Sequence, residues 1–269
     1  PQQDALRTDA GLLLFANVDS PEESRLARRR GAEGLSLVRT DALLSGGRDP
    51  GEEEQVDHYR RILQPWEGRR AWVRTFDAPE PGADAALGPR GVRWLDLAPD
   101  RFRRQLRALC RAAASLPEVQ TGVLLPMVCR PSELRAVRSL LGELGPPGSP
   151  SPELGCMVET PAAALRIDEL LDEADFVAVG TNDLLQFLVG ASREDHRLGG
   201  LLDPEDPSLW ELLGRVGAAS RARGRPAVVC GALAESASAR ARLRELGFLG
   251  LGIGPASLPH GRNSSRRGG

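Results

Sequence analysis

Eight short apolar runs, each separated from the next by a longer amphipathic stretch, restrict this chain more than any other feature. The runs lie at 12–18, 34–38, 71–74, 122–126, 154–158, 176–179, 227–230 and 249–253. Most of the stretches between them read as helices, over 52–63, 99–114, 131–144, 161–173, 207–222 and 236–246. A further helix opens at Ser20-Pro21-Glu22-Glu23, where Ser20 can cap, Pro21 suits the first helical position and Glu23 can complete a capping box. Strand–helix alternation of this kind gives a parallel sheet. Eight such units close a barrel of about 250 residues. The expected fold is therefore α/β, a (β/α)8 TIM-type barrel over 1–260, with 261–269 as a disordered tail. No convincing helix follows the run at 249–253, so the barrel is expected to lack its last helix and to expose apolar surface beside its first and last strands.

Composition narrows the function classes. Hydrophobic residues make up 41% of the chain and aromatics only 4%, which predicts an aliphatic, alanine-rich core. Every basic residue except the histidines is arginine. A net charge of −2 offers no basic excess for nucleic acid. Cys110, Cys129, Cys156 and Cys230 lack the CxxC spacing of a zinc site and suggest no disulfide framework, so a reduced, cytoplasmic protein is expected. No apolar run is long enough to span a membrane.

In such a barrel the C-terminal ends of the strands converge on one mouth, where the chemistry takes place. Glu159 follows the run at 154–158, and Asp183 follows the run at 176–179. Two carboxylates at one mouth suit Mg²⁺, which takes one or two of them and fills its sphere with substrate oxygens and water. Arg39 and Arg74 end two other runs, and Cys230 ends a third. Such a set matches a substrate carrying both phosphate and carboxylate. Each residue also has a plainer reading: Glu159 as a helix-start carboxylate, Asn182 and Asp183 as a capping pair, Cys230 as core, the arginines as surface ion pairs. His58 is placed on an exposed helix face and His196 in a loop near the mouth. The proline- and glycine-rich segment 77–89 is a long loop at the mouth, and 146–152 is a stiff connector on the opposite face.

Six motifs in order resemble the C-terminal domain of the phosphoenolpyruvate-utilising enzymes, and within them the phosphoenolpyruvate–protein phosphotransferases (Enzyme I of the bacterial sugar phosphotransferase system). They are Gly31-Ala32-Glu33-Gly34-Leu35-Ser36-Leu37-Val38-Arg39-Thr40, Val73-Arg74-Thr75-Phe76-Asp77, Leu87-Gly88-Pro89-Arg90, Met157-Val158-Glu159-Thr160-Pro161-Ala162-Ala163, Gly180-Thr181-Asn182-Asp183-Leu184 and Val229-Cys230-Gly231. The resemblance implies Mg²⁺ (or Mn²⁺) on Glu159 and Asp183. It implies Arg39, Arg74, Arg90 and Arg193 on the phosphate and carboxylate, and Asn182 on further substrate oxygens. It makes Cys230 the acid that protonates the enolate carbon as pyruvate forms. A thiol near its ordinary pKa of ~8.5 would suit that task close to neutral pH. A phosphohistidine-carrying domain or protein as acceptor and a homodimer are implied as well.

The chain departs from the family in several places. The loop 78–84 replaces a glycine- and lysine-bearing one, Ala232 stands where an acidic residue is usual, and Asp41 stands where Glu is favoured. None of His58, His196 and His260 lies in a Gly-rich Thr-Ser-His motif, so the donor site is expected without the acceptor. A carbon–carbon lyase or aldolase acting on pyruvate or oxaloacetate, and a non-catalytic dimerising or regulatory relative, are the competing readings.

Overall fold

The computed structural model describes residues 8–259. Eight parallel strands form a closed barrel in sequence order: β1 (Leu13–Val18), β2 (Leu35–Val38), β3 (Arg70–Arg74), β4 (Gln120–Leu125), β5 (Glu153–Val158), β6 (Phe176–Gly180), β7 (Ala227–Cys230) and β8 (Gly250–Ile253), with β8 pairing back onto β1. All eight expected strands are present. The helices are α1 (Pro21–Arg29), α2 (Glu52–Leu63), α3 (Trp94–Leu97), α4 (Pro99–Ala114), α5 (Pro131–Leu144), α6 (Pro161–Leu165), α7 (Ile167–Leu171), α8 (Thr181–Val189), α9 (Pro207–Ala222), α10 (Ala232–Glu235) and α11 (Ala239–Leu246). Among the described residues no helix is long and apolar enough to cross a membrane.

The strands alternate between two environments, as the two-residue period of a strand requires. On β1, Leu14, Ala16 and Val18 face the helices while Phe15 faces the barrel axis. The layer between strands and helices is aliphatic and alanine-rich as expected, and the interior of the barrel departs from it. Its middle is an aromatic stack, with Trp72 lying 4.0 Å from Phe176 and 6.2 Å from Phe15, ring centre to ring centre. Gly155 on β5 leaves the room for it, because a Cβ there would come within 2.2 Å of the Phe176 ring. Three of the aromatics meet where eight converging strands leave a wide gap to fill.

Local differences have local causes. The helix expected over 161–173 breaks at Arg166 (φ −104°, ψ 21°) into α6 and α7. The one expected over 236–246 starts late, after a bend that separates α10 from α11. At α1, Ser20 Oγ accepts from the Glu23 N–H at 3.2 Å, but Glu23 accepts from the Asp19 N–H at 2.8 Å rather than from the cap residue's own amide. His58 is half-buried against Tyr59 rather than exposed, and burial lowers its pKa.

The expected apolar gap beside β1 and β8 is not found among the described residues. Leu12, Leu14, Leu251, Ile253 and Leu258 are all buried. The chain after β8 makes a 3-10 turn (Pro255–Ser257), and Arg30 Nη1 reaches from the end of α1 to the carbonyls of Pro255 (2.8 Å) and Ala256 (2.7 Å). That arginine ties the segment across the outer wall. The large hydrophobics that are exposed lie elsewhere: Leu87, Leu97, Leu165 and Leu201. His260 and the tail at 261–269 fall outside the described residues.

Candidate active site

The strand ends surround a cleft of about 680 Å³. Arg39, Arg74, Arg90, Glu159, Asn182, Asp183, Arg193 and Cys230 all line it, so the eight residues named from the sequence share one mouth. They do not share one environment.

Arg90 is buried and Arg74 nearly so, and both already hold carboxylates. Arg74 lies 2.6 Å from Asp41 Oδ2 and 2.9 Å from Asp77 Oδ2. Arg90 donates its Nε and Nη2 to the two oxygens of Asp77 at 3.0 and 2.6 Å, and Nη2 again to Asp183 Oδ2 at 3.0 Å. Arg90 lies in a loop, in extended backbone just before a 3-10 turn (Gly91–Arg93), and its side chain is buried. Burial disfavours both cations, but the facing carboxylates outweigh it and hold both guanidiniums above their ordinary values. Arg74 Nε is buried without a hydrogen-bond partner, a donor left over for a ligand.

Asp77 and Asp41 organise this half of the site, and the sequence reading gave neither a role. Asp77 is 5% exposed and sits between the two arginines. Asp41 Oδ1 accepts from the N–H groups of Asp77 (2.7 Å) and Ala78 (3.0 Å), which folds the start of the long loop over β3. The signal available was a carboxylate three residues after a strand-end arginine, inside a quoted motif.

Glu159 is 2% exposed, and its Oε1 accepts from the Met127 N–H at 2.6 Å. Burial first, then the charges of Asp77 and Asp183, raise its pKa well above the ordinary carboxylate range. Asp183, in the first turn of α8, offers an open acceptor: Oδ1 is buried without a hydrogen-bond partner, since Arg193 Nη1 at 3.2 Å is an ion pair lacking hydrogen-bond geometry. Mutually repelling carboxylates and an unused buried oxygen are what a divalent cation would relieve. Among the described residues no three His, Cys, Asp or Glu side chains converge into a complete ligand set. The residues present thus fit an ion held by Glu159 and Asp183 that takes its other ligands from substrate and water.

Arg39, Arg193 and Asn182 lie at the rim. Arg39 pairs with Asp19 through Nε and Nη2 and is half-exposed. Arg193 is exposed, its backbone pinned by Gln186 Oε1 at 2.9 Å. Asn182 Oδ1 accepts from the Ala232 N–H at 3.0 Å, bridging the ends of β6 and β7.

Cys230 lies across the mouth, buried, with Sγ 3.6 Å from Asn17 Oδ1 and 3.9 Å from Ser36 Oγ. Ser36 donates to the same Asn17 oxygen at 2.9 Å, and Asn17 Nδ2 donates to the Gly252 carbonyl at 2.8 Å. A Cβ on Gly252 would meet Ser36 Oγ at 2.2 Å and Cys230 Sγ at 2.7 Å. Burial pushes the Cys230 thiol up to about 11, above the value expected from sequence. The thiol is therefore protonated at neutral pH.

A family described as PEP-utilising enzyme, PEP-binding domain, matches residues 2–267. The phosphoenolpyruvate-protein phosphotransferase of Streptomyces coelicolor is 36% identical over 261 aligned residues, covering 93% of this chain and 46% of that protein. The protein of the same description from Cupriavidus necator is 33% identical over 266, covering 91% and 45%. This chain therefore spans slightly less than half the length of these relatives. Among solved structures, the HpcH/HpaI aldolase from Desulfitobacterium hafniense matches with a TM-score of 0.55 and 16% identity over 91% of this chain and 86% of that one. Citrate synthase SbnG matches with a TM-score of 0.58 and 12% identity over 91% and 87%. At such identities these two share the barrel fold and nothing more is drawn from them.

Proposed function

Since the chain belongs to the phosphoenolpyruvate-utilising enzymes as their phosphoenolpyruvate-binding domain, we propose that its mouth binds phosphoenolpyruvate with Mg²⁺ or Mn²⁺ and passes the phosphoryl group to a histidine on another domain or protein, releasing pyruvate. The observation that carries this reading is the buried Asp183 oxygen without a hydrogen-bond partner, beside a carboxylate held above its ordinary pKa and the largely enclosed Arg74 and Arg90. Glu159 and Asp183 would hold the cation, which would neutralise charge on phosphate and carboxylate oxygens. Arg74 and Arg90 would exchange part of their carboxylate bonding for substrate oxygens, the bidentate contact that guanidinium geometry favours. Arg39, Arg193 and Asn182 would close on the ligand from the rim.

Phosphoryl transfer asks for charge neutralisation and in-line placement. The attacking imidazole nitrogen forms a bond to phosphorus as the bond from phosphorus to the enol oxygen breaks. The electron pair stays with the leaving enolate. The Cys230 thiol then gives its proton to the terminal carbon, and solvent returns a proton to the thiolate. His58 lies on an outer helix, and His196 in an exposed 3-10 turn, so neither is a buried partner of this site. We assign the acceptor to another domain or protein, in the cytoplasm. The lyase alternative draws only on shared fold, and the family match favours phosphoryl transfer.

Calorimetric titration of phosphoenolpyruvate with and without Mg²⁺ tests the proposal. Tight binding that needs the cation is expected. Equal binding with and without it, or none under either condition, overturns it.

A further inference from the structure

We propose that the turn Pro126–Met127, after β4, is the device that positions Glu159, and that Gly91 is the contact that locks this turn in place. The inference rests on Glu159 being a cation ligand, as set out above.

Met127 has φ 60°, and among the described residues it is the one non-glycine with a positive φ. Such a conformation is strained and persists only where the surroundings enforce it. Here it turns the Met127 N–H onto Glu159 Oε1 at 2.6 Å. The other carboxylate oxygen faces β6: a Cβ on Gly180 would lie 3.0 Å from Glu159 Oε2. One edge of the carboxylate is therefore pinned by the β4 turn, and the other is turned toward the strand that leads into Asp183. A backbone donor does this with no rotamer freedom, which a side-chain donor would have to lose.

The turn is held from three directions. The Val92 N–H donates to the Pro126 carbonyl at 3.0 Å. The Cys129 thiol donates to the Met127 carbonyl at 3.6 Å. Gly91 packs flat against the turn: a Cβ there would come within 2.9 Å of Met127 Cβ, Met127 Cγ and the Pro126 carbonyl alike. Gly91 immediately follows Arg90, whose guanidinium bonds Asp77 and Asp183. The arginine for the anion and the carboxylate for the cation are thus built on one packed joint. Displacing Met127 by the width of a methyl group should loosen the grip on Glu159 without touching any cleft-lining side chain.

Four variants of the full chain test this: Gly91→Ala, Met127→Gly, the two combined, and Glu159→Ala. The probe is Mn²⁺ titrated in the presence of phosphoenolpyruvate. Gly91→Ala should weaken Mn²⁺ binding by about 10–100-fold, the loss typical of a group that orients a metal ligand. Met127→Gly keeps the N–H and accepts the positive φ, and serves as the background against which the double variant is read. Adding Met127→Gly to Gly91→Ala removes two of the three crowded atoms and should restore part of the affinity, the strain of a side chain at the positive φ of 61° at position 91 remaining. If Gly91→Ala binds normally, or the double variant stays as weak as Gly91→Ala alone, the joint is not a positioning device. If Glu159→Ala binds Mn²⁺ normally, the cation assignment fails and takes this inference with it. Should Gly91→Ala not fold, the amide proton of Met127 in the unmodified chain decides. Its NMR resonance should move upfield in Glu159→Gln, and an unmoved resonance overturns the proposal.

Discussion

The two sides of the mouth are built on opposite principles. From the end of β2 round to β6 the site is charged and over-paired: Arg90, Asp77, Glu159 and Asp183 lie buried, with the partly buried Arg74 and Asp41 in contact or close by. From β7 through β8 and β1 to β2 its buried floor is neutral and sparse, one thiol, one amide and one hydroxyl packed round a glycine, with the Arg39–Asp19 pair only at the rim above. The charged side already commits most of its guanidinium donors to carboxylates, so beyond the spare Arg74 Nε a ligand gains contacts there by exchanging partners. A new anion must do better than Asp77, and a cation must make that exchange favourable by drawing off Glu159 and Asp183. The neutral side holds nothing an anion would displace. It is suited to keeping one proton in place until the substrate has become an enolate. The comparison separates gripping from protonating, and each variant below strikes one side only.

Removing the charged side's carboxylate should have the largest effect. Glu159→Ala should lose more Mn²⁺ affinity than the ~10–100-fold that a merely supporting group is worth. Circular dichroism should show the fold intact, since the substitution also removes a buried repelling charge. If phosphoenolpyruvate binds Glu159→Ala with unchanged cation dependence, the division drawn here is wrong. Cys230→Ala comes next: turnover with a supplied acceptor domain should fall about 10²–10⁴-fold with phosphoenolpyruvate affinity nearly unchanged. Affinity lost as badly as turnover would move Cys230 to the gripping side. Arg74→Ala should show the reverse pattern. Its affinity should fall on the order of 10–100-fold, in line with about 1.5–3 kcal/mol for a hydrogen bond to a charged group. Unchanged affinity in that variant would return Arg74 to a purely structural ion pair with Asp41 and Asp77.

The two sides also differed in how openly the sequence announced them. Arg39, Arg74, Glu159, Asp183 and Cys230 end apolar runs, so their place at the mouth followed from strand boundaries alone. Arg90 and Arg193 came from the resemblance, because a residue in a loop carries no periodicity to place it. Asp77 and Asp41 stood in plain view but unread: their effect depends on two loops meeting over β3, a contact that sequence spacing does not encode. Met127 left no trace, because what it contributes is a backbone amide aimed by an unusual φ. Asn17 and Ser36 were hidden for another reason. Each is a single polar residue inside an apolar strand, and only closure of β1, β2 and β8 around the axis turns them toward Cys230. The aromatic stack in the barrel was likewise invisible to composition. A 4% aromatic content gives the number of rings and says nothing about their meeting in one place.

The smallest expected effect is the most discriminating test of the neutral side. Asn17 Oδ1 is the acceptor nearest the Cys230 thiol, and Ser36 competes for the same oxygen. If Asn17 only fills space, replacing it should disturb stability and nothing else. If it orients the thiol, turnover should fall while phosphoenolpyruvate affinity stays constant, because no cleft charge has changed. Asn17→Ala is expected to cost roughly 0.5–1.5 kcal/mol in the transfer step, the net worth of an ordinary hydrogen bond, or about two- to twelve-fold in turnover. Ser36→Ala should act in the opposite sense or not at all, since it frees the Asn17 oxygen for the thiol and removes no bond to the substrate. Measuring both variants in the Cys230→Ala background supplies the control. There the thiol is gone, and an orienting effect of Asn17 should vanish, whereas a packing effect should persist at full size. Persistence of the Asn17→Ala loss without Cys230 would show that the amide serves the barrel rather than the proton.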